Sequence, residues 1–135
     1  IILDPATVGV LMDVGVSPAN EWLEFIDTII LNEEEAHFLT GKENPIDAAS
    51  QLLSRVNTVV IKRGSNGALG QSRGGQLIQV EARKTTVLNT TGAGDAFAAG
   101  FISIWANNGP LIGALESGAD LAGKCVALVG ARPFL

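Results

Sequence analysis

At 135 residues, 47% of them hydrophobic and 17% charged, the chain is long enough to bury a core as one domain and too apolar to be intrinsically disordered. Against 14 acidic residues stand 9 basic ones, scattered rather than clustered, which excludes nucleic acid as a partner. The single cysteine excludes an internal disulfide and a cysteine-based zinc site, and the opening "IILDPATVGVLM" has no basic leader and is too short to span a bilayer, so no membrane partner and a cytoplasmic location are expected.

Strand and helix signals take turns along the chain. Residues 1–4 predict a buried strand ended by Pro5, and "TIIL" at 28–31 predicts a second. The polar "NEEE" that follows opens a short helix through Leu39, stopped by Gly41. Asn44 and Pro45 form a cap and first helical position for a helix through about Arg55. "TVVIK" at 58–62 is a third strand, followed by the turn cluster "RGSNGA". Residues 68–71 and 76–80 flank "SRGG" as a hairpin, and 85–88 predict one more short strand. Two long helices follow: one from near Gly94, with Phe97, Phe101, Ile104 and Trp105 on one face, and one from about Leu111 to Leu128. Such alternation argues for an α/β fold with a mainly parallel sheet covered on both faces, where ligands collect at the carboxyl ends of the strands.

Between the last expected strand and the first long helix lies "NTTGAGDAFAAGF", residues 89–101. A helix beginning near Gly94 would present the amides of Gly92, Ala93 and Gly94 at its N-terminus with no side chains in the way, a cradle for an anion. Asp95 falls in the first turn, where the helix dipole favours a carboxylate. A base beside an anion site points to transfer of an anionic group to a hydroxyl, and phosphoryl transfer fits best because it needs positioned donors more than covalent chemistry. The same residues would also serve as a plain turn and helix start, and physical chemistry alone leaves both readings open.

The stretch resembles the second signature of the PfkB (ribokinase-like) carbohydrate and nucleoside kinases, D-T-x-G-A-G-D-x-F-x-x-G-F, and departs from it only at the first position. Further matches follow in family order: "LDP" at Leu3 to Pro5, "NEEEAHFLTG" for N-x-x-E and L-x-G, "IKRGSNGA" for K-x-G-x-x-G, and "GARP" at Gly130 to Pro133. The resemblance covers essentially the whole chain. It implies a three-layer ribokinase-like fold of which residues 1–135 are the C-terminal nucleotide-binding part, the N-terminal half and its lid being missing. It implies ATP and magnesium (Mg2+) as cofactors and a sugar or nucleoside as acceptor.

By the same resemblance Asp95 takes the acceptor proton, while the amides of Gly92, Ala93 and Gly94 hold charge on the γ-phosphoryl group. Asn32 and Glu35 act near the phosphates and magnesium through water, whereas Glu33 and Glu34 belong to a solvated helix start. Lys62, Gly64 and Thr91 approach the nucleotide phosphates, Gly67 is a turn glycine, and Asp120 lines the adenine pocket in a place often held by asparagine. Asn89 stands where relatives carry an aspartate of a monovalent-cation site completed near Gly130, so that site is expected to be weakened, or its charge supplied by Lys62, Arg63 or Lys84. Alone, the chain is expected to be inactive and to form a homo-oligomer or pair with the missing N-terminal half. A non-catalytic nucleotide-binding or scaffold remnant of the fold is the alternative.

Two other patterns carry less. "GADLAGK" at 118–124 has P-loop spacing, but Cys125 stands where Ser or Thr should bind magnesium and no strand precedes it, so a mid-helix position is expected. "GAGDAF" lacks the third glycine of a dinucleotide fingerprint, position 97 being phenylalanine. His37 reads as a helix-surface residue and Cys125 as a small core residue.

Overall fold

A computed structural model describes residues 1–128, in two compact units by backbone contacts: Ile1–Arg63 with Leu69–Ile78, and Gly64–Ala68 with the chain from Gln79 onward. Five strands form one sheet in the order β1 (Ile2–Leu3), β2 (Thr28–Asn32), β3 (Thr58–Lys62), β4 (Ala68–Ser72) and β5 (Ile78–Val80). The first three run parallel, with Leu3 beside Ile29 and Asn32 beside Lys62. Ile29, Ile30, Leu31, Val59, Val60 and Ile61 are fully buried. Unbroken β-branched and apolar runs of this kind belong to a parallel sheet covered on both faces.

In the first unit the helices are α1 (Val8–Val14), α2 (Val16–Trp22), α3 (Glu33–Thr40) and α4 (Pro45–Leu52). The first two were not expected from the sequence. Thr7 opens α1 by accepting a hydrogen bond from the Gly9 amide, and Gly15 separates the two helices at φ 92°. Gly41 stops α3 in the left-handed conformation, as its sequence position foretold. Helix α4 ends at Leu52, short of the expected Arg55, because Arg73 reaches back to the carbonyls of Leu53 and Val56. Leu11, Leu23, Ala36, Leu39, Ala48 and Leu52 pack on Ile29, Leu31, Val59 and Ile61. Each large side chain among them contributes about 1.5–3 kcal/mol by leaving water.

The second unit is dominated by α5 (Ala93–Trp105) and α6 (Leu111–Val126). The strand expected at 85–88 does not form. Val87 and Leu88 are each 59% exposed, and the amides of Leu88 and Asn89 both donate to the Val126 carbonyl at the end of α6 rather than to a neighbouring strand. The "GADLAGK" run lies inside α6, where Gly118 packs under the Phe97 ring, so it is not a phosphate loop.

Helices α5 and α6 meet backbone to backbone at Gly100. A Cβ there would stand 2.5 Å from the Ser117 carbonyl oxygen and 3.0 Å from the Gly118 Cα. The last glycine of the "GAGDAFAAG" run is thus a packing residue rather than a ligand contact. Gly100→Ala is expected to lower stability by about 1–3 kcal/mol in thermal unfolding. Gly113→Ala on α6, whose new methyl would meet nothing closer than 3.5 Å, is the control and is expected to be neutral or stabilising.

Candidate active site

The carboxyl ends of β1, β2 and β3 bring Asp4, Asn32 and Lys62 to one edge of the first unit. Lys62 Nζ lies 2.9 Å from Asp4 Oδ2, with both side chains largely buried. Asn32 and Glu35 form a reciprocal capping box at the start of α3. Asn32 Oδ1 accepts from the Glu35 amide and Glu35 Oε2 accepts from the Asn32 amide, each at 2.8 Å.

Glu35 is fully buried, and its second oxygen, Oε1, makes no hydrogen bond among the described residues. Burial pushes its carboxyl above the ordinary glutamate range, while the Asn32 amide and the Lys62 ammonium pull the other way. A buried carboxylate oxygen without a donor costs stability, and its lone pairs are available to a water or a cation. Glu33 and Glu34 are exposed as expected, and Glu33 lies 3.5 Å from Arg63 Nε. Asp4, the residue of the "LDP" run that pairs with Lys62, is not among the site residues expected from the sequence; a carboxylate at a strand end immediately before proline is the signal that marks it.

In the second unit the 89–95 turn is built locally. Asn89 Oδ1 accepts from the Thr91 amide at 2.8 Å, and the Ala93 amide donates to the Thr90 carbonyl at 3.2 Å. Gly92 caps α5 at φ 80° and ψ −1°, a left-handed conformation that a side chain would strain. Of the three amides read as an anion cradle, that of Ala93 is turned into this bond, while those of Gly92 and Gly94 have no partner among the described residues. Asp95 is exposed in the first turn of α5 and forms no ion pair or hydrogen bond among the described residues. Its carboxylate does not cap the helix and meets the plain helix-start reading only through the helix dipole, so both readings of the residue remain compatible with its position.

Gly64 opens the short 3-10 turn Gly64–Asn66 and has φ +55°. Gly67 is a turn glycine as expected, since a Cβ there would sit 1.9 Å from the Val80 carbonyl oxygen. Asp120 on α6 is held by Arg83 and by Lys124 at 2.7 Å, and Lys124 first and Arg83 second keep its carboxyl below the usual range. Its side chain lines an open cavity of about 340 Å³ together with Gln79, Glu81, Arg83, Ile112 and Glu116. Gly130 lies outside the described residues.

Residues 6–135 match the family model for pfkB family carbohydrate kinases. The chain belongs to the PfkB family. It is 34% identical over 110 residues to a fructokinase of Klebsiella pneumoniae, covering 78% of this chain and 36% of that one. It is 30% identical over 138 residues to a ribokinase of Haemophilus influenzae, covering 98% of this chain and 42% of that one. The ribokinase of Arabidopsis thaliana, solved with ribose and ATP, superposes with a TM-score of 0.76 at 33% identity, over 83% of this chain and 38% of that one. A probable sugar kinase of Rhizobium etli superposes with a TM-score of 0.90 at 23% identity over 99% of this chain and 41% of that one, a likeness of fold alone. The fold is therefore ribokinase-like, and this PfkB chain spans 36% to 42% of the length of these relatives. Among the described residues no helix is long and apolar enough to cross a membrane.

Proposed function

We propose that this chain is the C-terminal nucleotide-binding part of a PfkB kinase that transfers the γ-phosphoryl group of ATP to an alcohol group of a sugar or nucleoside. The observation that carries the reading is the exposed Asp95 carboxylate in the first turn of α5, without a partner among the described residues and three residues after the left-handed Gly92 cap. In the transfer step the acceptor hydroxyl oxygen bonds to the γ-phosphorus, the bond from that phosphorus to the bridging oxygen breaks, and ADP leaves. Asp95 accepts the hydroxyl proton, which removes the positive charge that would otherwise build on the attacking oxygen. The amides of Gly92 and Gly94, without a partner among the described residues, are assigned to the charge spread over the transferring oxygens. Thr91 contributes through the turn that aims them.

Lys62, fixed by Asp4, is assigned to the nucleotide phosphates, with the Gly64 turn following it in the chain. The buried Glu35 Oε1 fits a magnesium ion held largely through water, with Asn32 completing the cap that orients it. When bound, that ion would neutralise phosphate charge. Asp120 beside its open cavity is assigned to the nucleotide's base end. We place the enzyme in the cytoplasm, active only with the remainder of a PfkB domain or an oligomeric partner completing the acceptor site.

The test is ADP formation by the whole protein across a panel of sugars and nucleosides with ATP and magnesium. Acceptor-dependent ADP release supports the kinase. ATP binding without release for any acceptor would instead make the chain a non-catalytic nucleotide-binding remnant.

Asn89 adds a prediction on the monovalent cation. Its one side-chain oxygen already accepts from the Thr91 amide and carries no net charge, so a hard cation there is held by neutral oxygens. Activity is expected to depend little on potassium when potassium replaces sodium at fixed ionic strength. Asn89→Asp is expected to introduce saturable potassium activation, and strong activation of the unaltered enzyme would contradict this.

A further inference from the structure

Residues 81–91 form no helix or strand, yet they end in the turn that must aim the Gly92 and Gly94 amides. The last turn of α6 attaches to this segment at consecutive points. The Val126 carbonyl, one of the orphan acceptors at the end of a helix, takes hydrogen bonds from the Leu88 amide at 2.7 Å and the Asn89 amide at 3.2 Å. One residue earlier, the fully buried Cys125 thiol donates to the Thr91 carbonyl at 3.7 Å. A turn further back, Gly123 leaves room for the Arg83 stem, since a Cβ would stand 2.5 Å from Arg83 Cβ, and Arg83 pairs with Asp120.

We propose that the last turn of α6 positions the phosphate-binding turn, with Cys125 as the positioning residue. Its thiol fixes the Thr91 carbonyl, and hence the Thr91 peptide group whose neighbours in the turn are pinned by the Asn89 to Thr91 and Ala93 to Thr90 hydrogen bonds. The direction of the Gly92 and Gly94 amides then follows from the hold of α6 on this segment as well as from the segment's own hydrogen bonds. Alanine leaves a cavity at this fully buried position and valine overpacks it, so both disturb the turn on any reading, whereas serine restores it only if the thiol acts as a donor. The functional part of this inference rests on the kinase reading.

The experiment compares Cys125→Ala, Cys125→Val and Cys125→Ser in the whole protein by amide hydrogen exchange over residues 89–95 and by steady-state kinetics. Alanine and valine are expected to speed exchange in the turn about tenfold, with no change in α5 beyond its first turn. They are also expected to lower kcat about tenfold with the KM for ATP within about twofold, because misaimed donors lose transition-state contacts more than ground-state binding. Serine is expected to restore both. Unaltered exchange or unaltered kcat in the alanine and valine variants overturns the proposal, as does serine failing to restore either. If the unaltered protein phosphorylates no acceptor, the kinase reading has failed instead, and the exchange measurement alone decides whether α6 holds the turn.

Discussion

On the proposed function, Asp95→Asn is expected to reduce turnover of the whole protein by about two to four decades, the usual worth of a general base, while ATP affinity stays within about twofold. The substitution keeps the shape of the side chain and removes only its capacity to take a proton. Because Asp95 has no ion pair or hydrogen bond among the described residues, no structural contact is lost with the charge. The favourable position of a carboxylate at the N-terminus of α5 is worth only about 0.3–1 kcal/mol, so a large fall in stability is not expected. Steady-state kinetics, calorimetric ATP binding and a thermal melt on the same preparation separate these effects. Near-normal turnover would remove Asp95 from its role.

Glu35→Gln is expected to move stability and activity in opposite directions. The folded protein holds the Glu35 proton above the ordinary glutamate value of 4.5, because burial disfavours the charge. Between that value and the raised one the folded state binds more protons than the unfolded state. Stability from this group is therefore fully present below the unfolded value and lost as pH rises through the folded one. Glutamine keeps an oxygen for the Asn32 amide and has no charge to desolvate, so at neutral pH it is expected to raise stability, less the cost of its own buried N–H group, and to flatten the fall in stability above pH 4.5. Magnesium-dependent activity is expected to drop about 10- to 100-fold, since the oxygen without a donor among the described residues is the one exchanged. Chemical denaturation from acid to neutral pH, run beside kinetics, reads both. A fall in stability above pH 4.5 as steep in the variant as in the parent would contradict the buried charge, and full magnesium-dependent turnover would show that Oε1 does not serve a ligand.

What the sequence made legible was local. The β-branched runs at 28–32 and 58–62 became the buried parallel strands, and the Asn32, Asn44 and Gly41 caps fixed helix ends because each acts within one turn of its own backbone. Helices α1 and α2 went unread because Gly9, Gly15 and Pro18 interrupt the apolar period that would have announced them. The run at 85–88 has strand composition, but a strand needs a neighbour, and its amides found the end of α6 instead. The site followed the same division. The N-x-x-E pair and the 89–95 turn are visible as motifs, whereas the capping box that joins Asn32 to Glu35 was not read from the sequence. The Lys62 pair with Asp4 joins residues 58 apart in sequence and the Asp120 pair with Arg83 joins residues 37 apart. Such contacts arise from parallel crossovers and helix packing, which no window of sequence contains. The unpartnered Glu35 oxygen is a property of packing alone.

The turn at 89–95 is the centre of the proposed chemistry, and amide chemical shifts in the whole protein titrated with ATP, ADP and adenosine test it most directly. ATP with magnesium is expected to produce saturable shifts at Gly92, Gly94 and Asp95 that are smaller with ADP and absent with adenosine, because the free amides there answer to the terminal phosphate rather than to the base. ATP binding that leaves these three amides unmoved, or moves them as much with adenosine, would contradict the assignment of this turn to phosphoryl transfer.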